Sequence, residues 1–420
     1  MIGYDVLVVG AGPSGIAAAI VAAESGCRVC LVDDNAAPGG QIWRGYEAHA
    51  AAQQHGRTFS VWHDRMMGVN VETHFSARVI AQPAAGVLRV ESDDRCIDIR
   101  YERLILATGA RERFLPFPGW TLPGIMGAGG LQAMVKSGLP IQGKRVVLAG
   151  SGPLLLAVAA ALARRGALIA GIFEQAPLVR LIGFGVDLLS HPSKLIEGMY
   201  CRLATSSAPY RTGSWVMRAN GENRLRTVTV LTGRSQQEIA CDYLGCGFHL
   251  VPNLEVPRLL GCLIDGGYVV VDAQQQTSIP HLYCAGELTG IGGLEKALVE
   301  GEIAGLSAAG RPASHLSSTR DRLMRFAQRL DQTFALRKEL RELADDETII
   351  CRCEDVSRGA LNGLHNRREA KLQTRCGMGP CQGRMCGPAL GFLFHWEHDN
   401  VRPPLTPTCL SNLASSPVER

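Results

Sequence analysis

Asp5-Val-Leu-Val-Val-Gly10-Ala-Gly12-Pro-Ser-Gly15-Ile-Ala-Ala-Ala-Ile20 stands near the head of the chain and decides how the rest is read. An apolar run, a glycine turn and a series of small residues predict a buried strand, a tight loop and a helix packed close on that strand. Gly10 permits the turn, Gly12 lets a pyrophosphate approach the backbone, and Gly15 lets helix and strand lie close together. Amides left unpaired at the helix start, backed by the positive end of the helix dipole, suit a phosphate. A second apolar strand, Arg28 to Val32, ends in Asp33, 18 residues after Gly15, where a carboxylate can accept from both hydroxyls of an adenosine ribose. The glycine pattern alone is weak. Strand, helix, second strand and terminal acid together predict a dinucleotide-binding unit.

The pattern returns in Arg145-Val-Val-Leu-Ala-Gly150-Ser151-Gly152-Pro-Leu-Leu155, followed by a helix to Arg165 and a strand ending at Glu174. Leu155 holds the third glycine position, so this helix must stand farther from its strand. Glu174 favours a ribose diol over a 2'-phosphate, hence NAD over NADP. Gly150, Ser151, Gly152 and Glu174 form a candidate second nucleotide site, for NAD(H) or another adenine nucleotide. A relic that keeps the fold without the ligand is the competing reading.

The chain has 420 residues, 46% apolar and 20% charged, enough for two or three globular units and unlike a disordered, collagenous or mini-protein sequence. A formal charge of +4, from 43 basic and 39 acidic residues, gives no sign of a nucleic-acid or anionic-membrane binder. The N-terminus opens on a strand, Tyr4 to Val9, with no cleavable signal visible, so a cytoplasmic location is expected. The longest apolar run, Leu154 to Ala163, has half the ~20 residues a membrane span needs. Any membrane contact is expected to be peripheral.

Fourteen cysteines are too few for a disulfide scaffold, yet six of them fall in the last 70 residues. Cys27 and Cys30 run into a strand and face opposite sides, while Cys241, Cys246, Cys262 and Cys284 read as small buried hydrophobes. Cys351-Arg-Cys353-Glu-Asp-Val follows the extended run Thr348-Ile-Ile, which puts both thiolates on one side. After a 22-residue spacer comes Thr374-Arg-Cys376-Gly-Met-Gly-Pro-Cys381-Gln-Gly-Arg-Met-Cys386-Gly-Pro, whose glycines let amides turn toward sulfur. Cys351, Cys353, Cys376 and Cys381 are the expected metal ligands, with Cys386 a fifth candidate and Cys409 uncoordinated. Zinc knuckles use CxxC spacing, so CxC with CxxxxC favours a [2Fe-2S] cluster. His395-Trp-Glu-His398 reads as a solvated helix end. Arg320 to Glu342, with Leu323, Phe326, Leu330, Phe334 and Leu340 on one face, reads as an amphipathic linker helix or a partner-docking surface.

With Leu104-Ile-Leu-Ala107-Thr108-Gly109 and Thr277-Ser-Ile-Pro-His-Leu-Tyr-Cys-Ala285-Gly286-Glu287, the chain resembles the two-dinucleotide-binding flavoproteins, which include glutathione and thioredoxin reductases. The resemblance implies FAD at the first fingerprint. Its contacts would come from Gly10, Gly12, Pro13, Ser14, Gly15, Asp33, Asp34, Gly40, Gln41, Val79, Ala107, Thr108, Gly109, Gly286, Glu287 and Gly293. Gly286-Glu287 stands where those proteins carry Gly-Asp, one methylene shorter. No cysteine follows Gly39-Gly40-Gln41-Ile-Trp-Arg, which disfavours disulfide reductase chemistry.

The terminal cysteine motifs, with Cys246-Gly-Phe-His-Leu-Val-Pro-Asn253 and Gly292-Gly-Leu-Glu-Lys-Ala297, narrow the resemblance. The chain is similar throughout to the alpha subunits of the opine oxidase, D-hydroxyproline dehydrogenase and hydrogen cyanide synthase family, and its end resembles the bacterioferritin-associated-ferredoxin-like [2Fe-2S] module. The short spacer implies a trimmed helical hairpin. The expected fold is α/β: a glutathione-reductase-like FAD domain (1–122 and 264–312), an inserted nucleotide-type Rossmann domain (123–263), a helical linker (313–346), and a small helical module with a tail (347–420). The resemblance implies a heteromeric dehydrogenase acting on CH–NH donors. Its D-amino-acid-oxidase-like beta flavoprotein oxidises an imino acid, a ferredoxin-like gamma subunit can join, and this chain passes electrons through FAD and [2Fe-2S] to a quinone or other carrier. That acceptor could hold it at the periphery of the inner membrane. No acid–base pair marks a substrate pocket, so no catalytic base is named. A self-contained NADH-dependent reductase and a non-enzymatic scaffold are the rival readings.

Overall fold

The computed structural model describes residues 2–44, 56–92, 95–397 and 401–414, which fall into two compact units. The first comprises Met1–Arg111, Val251–Gln328 and Asn400–Arg420, and the second Glu112–Leu250 and Arg329–Asp399. The crossings fall at 111/112 and 250/251 rather than at the expected 122/123 and 263/264. Side-chain packing places them: Phe114, Leu115, Phe117 and Trp120 fill the second core, while Leu254, Val256 and Cys262 fill the first.

In the first unit, Ile2–Val9 pairs in parallel with Val29–Val32 on one side and with Arg95–Leu106 on the other. The strand Arg95–Leu106 has two further partners along its other edge. Its first half pairs antiparallel with Val87–Ser92, and its last three residues pair in parallel with Leu282–Cys284. This division brings the late Ala285-Gly286 turn to the sheet that carries the first glycine motif. The helices Pro13–Glu24 and Leu294–Ala308 pack so closely that a Cβ on Gly301 would lie 2.2 Å from the Ser14 carbonyl oxygen. The tail returns to this unit rather than to the cysteine module: Leu405 is buried in its core and donates its amide to Ile80.

The second unit holds a parallel sheet in the order Tyr210–Thr212, Leu168–Glu174, Arg145–Ser151, Tyr243–Phe248, Ile125–Gly127. An antiparallel meander, Ser214–Asn220, Thr227–Thr232 and Ser235–Ala240, packs its apolar residues into the same core. The C-terminal module is a short hairpin, Ile349–Cys351 with Val356–Ser357, and two helices, Arg367–Thr374 and Cys386–Phe394. Its core of Ile350, Val356, Leu361, Ala370 and Leu390 is small, and three cysteines complete it. Trp120 fastens it by donating its indole N–H to the Ile349 carbonyl at 2.6 Å.

The linker departs from expectation. Its helix spans Ser317–Thr333 and stops there; Phe334 and Leu340 lie beyond it, the latter in a 3-10 turn, Lys338–Glu342. The helix stops because the backbone of 334–337 is engaged by side chains of the second unit. Leu323 and Phe326 are buried, so the apolar face is used within the chain and is no open docking surface. Among the described residues, no helix is long and apolar enough to cross a membrane.

Candidate functional site

Gly10 has φ +106°, and a Cβ there would stand 2.2 Å from the Ala107 carbonyl oxygen; on Gly15 it would stand 1.7 Å from that of Gly10. Both glycines are therefore set by close backbone approach. Gly12 differs, since a Cβ there meets nothing within 4 Å. It precedes the helix that Pro13 opens, no side chain caps that helix, and the space before its amides suits an anion.

Asp33 ends its strand buried. One carboxylate oxygen accepts the Ala11 amide, and the other accepts the backbone and side-chain N–H of Asn35, each at 2.7 Å. Asp34 is exposed and accepts from Asn35 at 3.1 Å. The Gly39-Gly40 loop folds over the turn: Gly39 donates to the Ala11 carbonyl at 2.8 Å, and a Cβ on Gly40 would lie 3.0 Å from Gly12 Cα. Gln41 is exposed. Val79 sends its side chain into the core, leaving only its backbone for a ligand.

The Ala107-Thr108-Gly109 turn is laced to Asn253, which sequence reading did not single out as a ligand-site residue. Thr108 Oγ1 donates to the Asn253 carbonyl at 3.0 Å, and Asn253 Nδ2 returns a bond to the Thr108 carbonyl at 2.7 Å. Gly286, at φ +79°, sits against Ser14, whose Oγ would be 2.5 Å from a Cβ there. Glu287 accepts the Gly293 amide at 3.0 Å through Oε1, and burial raises its carboxyl above the usual range. Beneath this turn lies a pair that sequence reading also missed. Lys296 and Glu300, 1% and 0% exposed, are 2.8 Å apart, and Lys296 donates to the Gly286 carbonyl while Glu300 accepts the Gly286 amide. Their i, i+4 spacing on a helix opened by two glycines was the available signal.

Glu287 Oε2 and Trp43 Nε1, buried beside the cradle, have no hydrogen-bond partner among the described residues. Buried polar groups are normally paired, so these atoms and the open space at Gly12 fit a polar ligand of dinucleotide type.

In the second unit, Gly150 and Gly152 have φ +147° and +105°. Leu155, at the third glycine position, is fully buried, and Gly247 of the neighbouring strand makes room: a Cβ there would be 3.1 Å from Leu155 Cδ2. Glu174 is fully buried and accepts the amides of Gly152 and Ala176 at 2.7 and 2.8 Å. Burial pushes its carboxyl up to about 7 against those bonds. Ser151 donates its hydroxyl to the Phe334 carbonyl at 2.9 Å.

The terminal cysteines gather in two groups. Cys351 closes a strand, Cys376 follows a helix whose last turn is stopped by Arg375 at φ +65°, and Cys386 opens the next helix. These three buried sulfurs lie within 4.8 Å of one another. Hydrogen bonds from Cys376 and then Cys386 bring the Cys351 thiol down to about 2, with the Gly377 amide adding a contact at 3.5 Å. The same sharing pushes Cys376 up to about 12. Cys353, exposed, lies against the amide and thiol of Cys381. A Cβ on Gly379 would fall 2.3 Å from that of Cys353, so this loop needs glycine there. Soft thiolates clustered this way fit an iron–sulfur cluster or zinc.

The remaining cysteines divide by core. Cys30 is buried in one core of the first unit and Cys27 packs toward another, on opposite faces of the sheet as the strand period requires. Cys241 and Cys246 are buried apolar residues of the second unit. Cys262 and Cys284, isolated in sequence, meet: their thiols are hydrogen-bonded in the first core. Cys409 donates its amide to Glu91 in the first unit. His395 caps a helix end, while His398 lies outside the described residues.

Residues 4–311 match the pyridine nucleotide-disulphide oxidoreductase family. The HcnB component of hydrogen cyanide synthase from Pseudomonas protegens is 33% identical over 90% of this chain and 89% of its own length. The A component of opine oxidase from Rhizobium meliloti is 32% identical over 98% of each chain. The crystal structure of L-proline dehydrogenase from P. horikoshii superposes with a TM-score of 0.68 at 20% identity, covering 98% of this chain and 80% of that one, a likeness of fold. On the breadth of these matches, the chain belongs to the pyridine nucleotide-disulphide oxidoreductase family, in the group that holds HcnB and the A component of opine oxidase.

Proposed function

We propose that this chain is the electron-transferring flavo-iron–sulfur subunit of a heteromeric dehydrogenase that oxidises imino acids or secondary amines of the opine or D-hydroxyproline type. The observation that carries the reading is the meeting of Cys351, Cys376 and Cys386 in a chain that also holds a dinucleotide cradle. When bound, FAD supplies exchange of electron pairs and a [2Fe-2S] cluster exchange of single electrons.

This chain's own residues hold and shield those groups. Gly12 admits the pyrophosphate, and Asp33 accepts ribose hydroxyls with the lone pairs its amide partners leave free. Asn253 and the Lys296–Glu300 pair hold the two turns, and Glu287 offers its unpaired oxygen. Four of Cys351, Cys353, Cys376, Cys381 and Cys386 would take the cluster.

Partnership is supported by the relatives, which are by name subunits of hydrogen cyanide synthase and opine oxidase. It is supported too by an apolar face on the helices Leu178–Asp187 and Pro192–Ala204 and the 3-10 turn Leu188–Ser190 between them, where Val179, Val186, Leu189, Ile196, Met199 and Leu203 are all more than 60% exposed. Contiguous apolar surface of this kind marks interaction sites. The partner is a D-amino-acid-oxidase-like beta flavoprotein, joined by a ferredoxin-like gamma subunit, with a quinone or carrier as acceptor. The complex works in the cytoplasm or at the inner face of the membrane.

The test is purification from the native host, with flavin, iron and sulfide counted per chain and opines, D-hydroxyproline and NADH offered anaerobically. We expect a co-purifying flavoprotein, two irons and two sulfides per chain, and flavin bleaching by an imino acid. Cys351→Ser should lose the iron and Cys409→Ser keep it. A chain that runs alone and is bleached only by NADH sinks the reading, as does zinc in place of iron.

A further inference from the structure

The dinucleotide crevice of a doubly wound sheet lies outside the carboxyl ends of its strands. In the second unit three neighbouring strands end at Glu174, Ser151 and Phe248. At each end a side chain reaches the same short stretch of chain. Past Phe248, His249 Nε2 lies 3.1 Å from Asp331 Oδ1. At Ser151 the hydroxyl donates to the Phe334 carbonyl at 2.9 Å. Past Glu174, Gln175 Nε2 donates to Ser151 Oγ at 2.8 Å and to the Ala335 carbonyl at 3.3 Å, while its Oε1 accepts the Arg337 amide at 3.1 Å.

Residues 331–337 thus cross the strand ends in spatial order. A dinucleotide with its ribose at Glu174 and its pyrophosphate over the glycine turn would follow the same line. The stretch is anchored at both ends of its turn. Phe334 is 5% exposed and stands edge-on to Phe184 at 5.4 Å, and the Arg337 guanidinium lies 5.0 Å over the Trp215 ring. Gln175 is fully buried beneath it.

We propose that residues 331–337 form a strap seated in the nucleotide crevice of the second unit, so that an adenine nucleotide binds there only by displacing it. The exchange is matched in chemistry. Ser151 Oγ and the Gln175 amide, which now serve carbonyl oxygens of the strap, are the donors that ribose or phosphate oxygens would take. The strap's one cation, Arg337, is held over the Trp215 ring and paired with Glu339 at 2.6 Å, so displacement depends on the turn amides and the helix behind them.

The experiment uses the full-length protein as purified, with NADH and ATP as separate probes. Binding is followed by calorimetry, and hydrogen exchange is followed in the peptide spanning 331–337. We expect binding to the wild type to be weak, exchange in that peptide to rise on saturation, and Phe334→Gly to tighten Kd at least tenfold. Arg337→Ala, which releases the Trp215 stack and leaves the Phe334 anchor in place, should tighten it several-fold. The proposal is overturned if nucleotide binds the wild type with exchange in 331–337 unchanged, if Kd is the same in all three proteins, or if none of them binds either nucleotide.

Discussion

Gly12→Ala and Gly15→Ala, three residues apart, should fail in opposite ways. A Cβ at position 15 lands 1.7 Å from the Gly10 carbonyl oxygen and 2.9 Å from its carbon. Heavy-atom contacts settle near 3.5 Å, so the helix Pro13–Glu24 would have to withdraw from its strand by roughly half that distance, against fixed backbone. Overpacking of this kind costs about 1–3 kcal/mol, a fall of roughly 2–12 °C in melting temperature for a unit of this size. At position 12 the backbone is at φ −75°, ψ −178°, open to any L-residue, and the methyl meets nothing within 4 Å. The apoprotein should melt with the wild type or up to about 1 kcal/mol above it, because alanine restricts the unfolded chain. The loss appears with ligand: the methyl holds the pyrophosphate off the turn amides, and each charge-assisted hydrogen bond lost costs about 1.5–3 kcal/mol, weakening FAD by tens- to hundred-fold. Melting curves of the apoproteins and FAD titration by flavin fluorescence separate the two effects. Wild-type FAD affinity in Gly12→Ala, or wild-type melting in Gly15→Ala, would refute the reasoning.

Two further outcomes follow from buried acids. Glu174 has its folded pKa raised to about 7, above an unfolded value of about 4.3, so its contribution is fully present below the unfolded value and is lost as pH rises through 7. The loss is about 4 kcal/mol; melting temperature should fall between pH 5 and 8, and Glu174→Gln should flatten that slope, whereas an unchanged slope assigns it elsewhere. Lys296→Met leaves the fully buried Glu300 carboxylate without its cation, a cost of about 3–5 kcal/mol, and should loosen the Gly286 turn and release FAD. Lys296→Met/Glu300→Leu should recover part of the stability in a thermal melt, and a single variant that melts with the wild type contradicts the account.

The two glycine fingerprints, the strands that follow them and the acids that end those strands were legible because each depends on residues within one βαβ segment. Local steric demands explain Gly10 and Gly15, and alternation explains why Cys27 and Cys30 part. The sequence was less informative wherever partners came from afar. Asn253 locks a turn 145 residues earlier, and Lys296 and Glu300 are hidden on a helix that also carries exposed charge. Cys262 and Cys284 meet only because the segments carrying them enter one core. The linker shows the same limit: its apolar periodicity runs on past Thr333, but the helix yields to Ser151 and Gln175, side chains that no local pattern ties to it.

By itself the sequence determined two dinucleotide-type turns, the strand–turn–helix order around them and the supply of thiolates at the C-terminal end. Each rests on interactions between neighbours in the chain, where residue type and spacing suffice. Only the tertiary structure decided which sulfurs meet, bringing Cys386 to Cys351 and Cys376 and pairing Cys353 with Cys381. It also decided that residues 331–337 lie across the second glycine turn. Both depend on where a loop closes, and closure is set by packing against distant residues: the Gly379 contact with Cys353 in the one case and the Phe184 and Trp215 rings in the other.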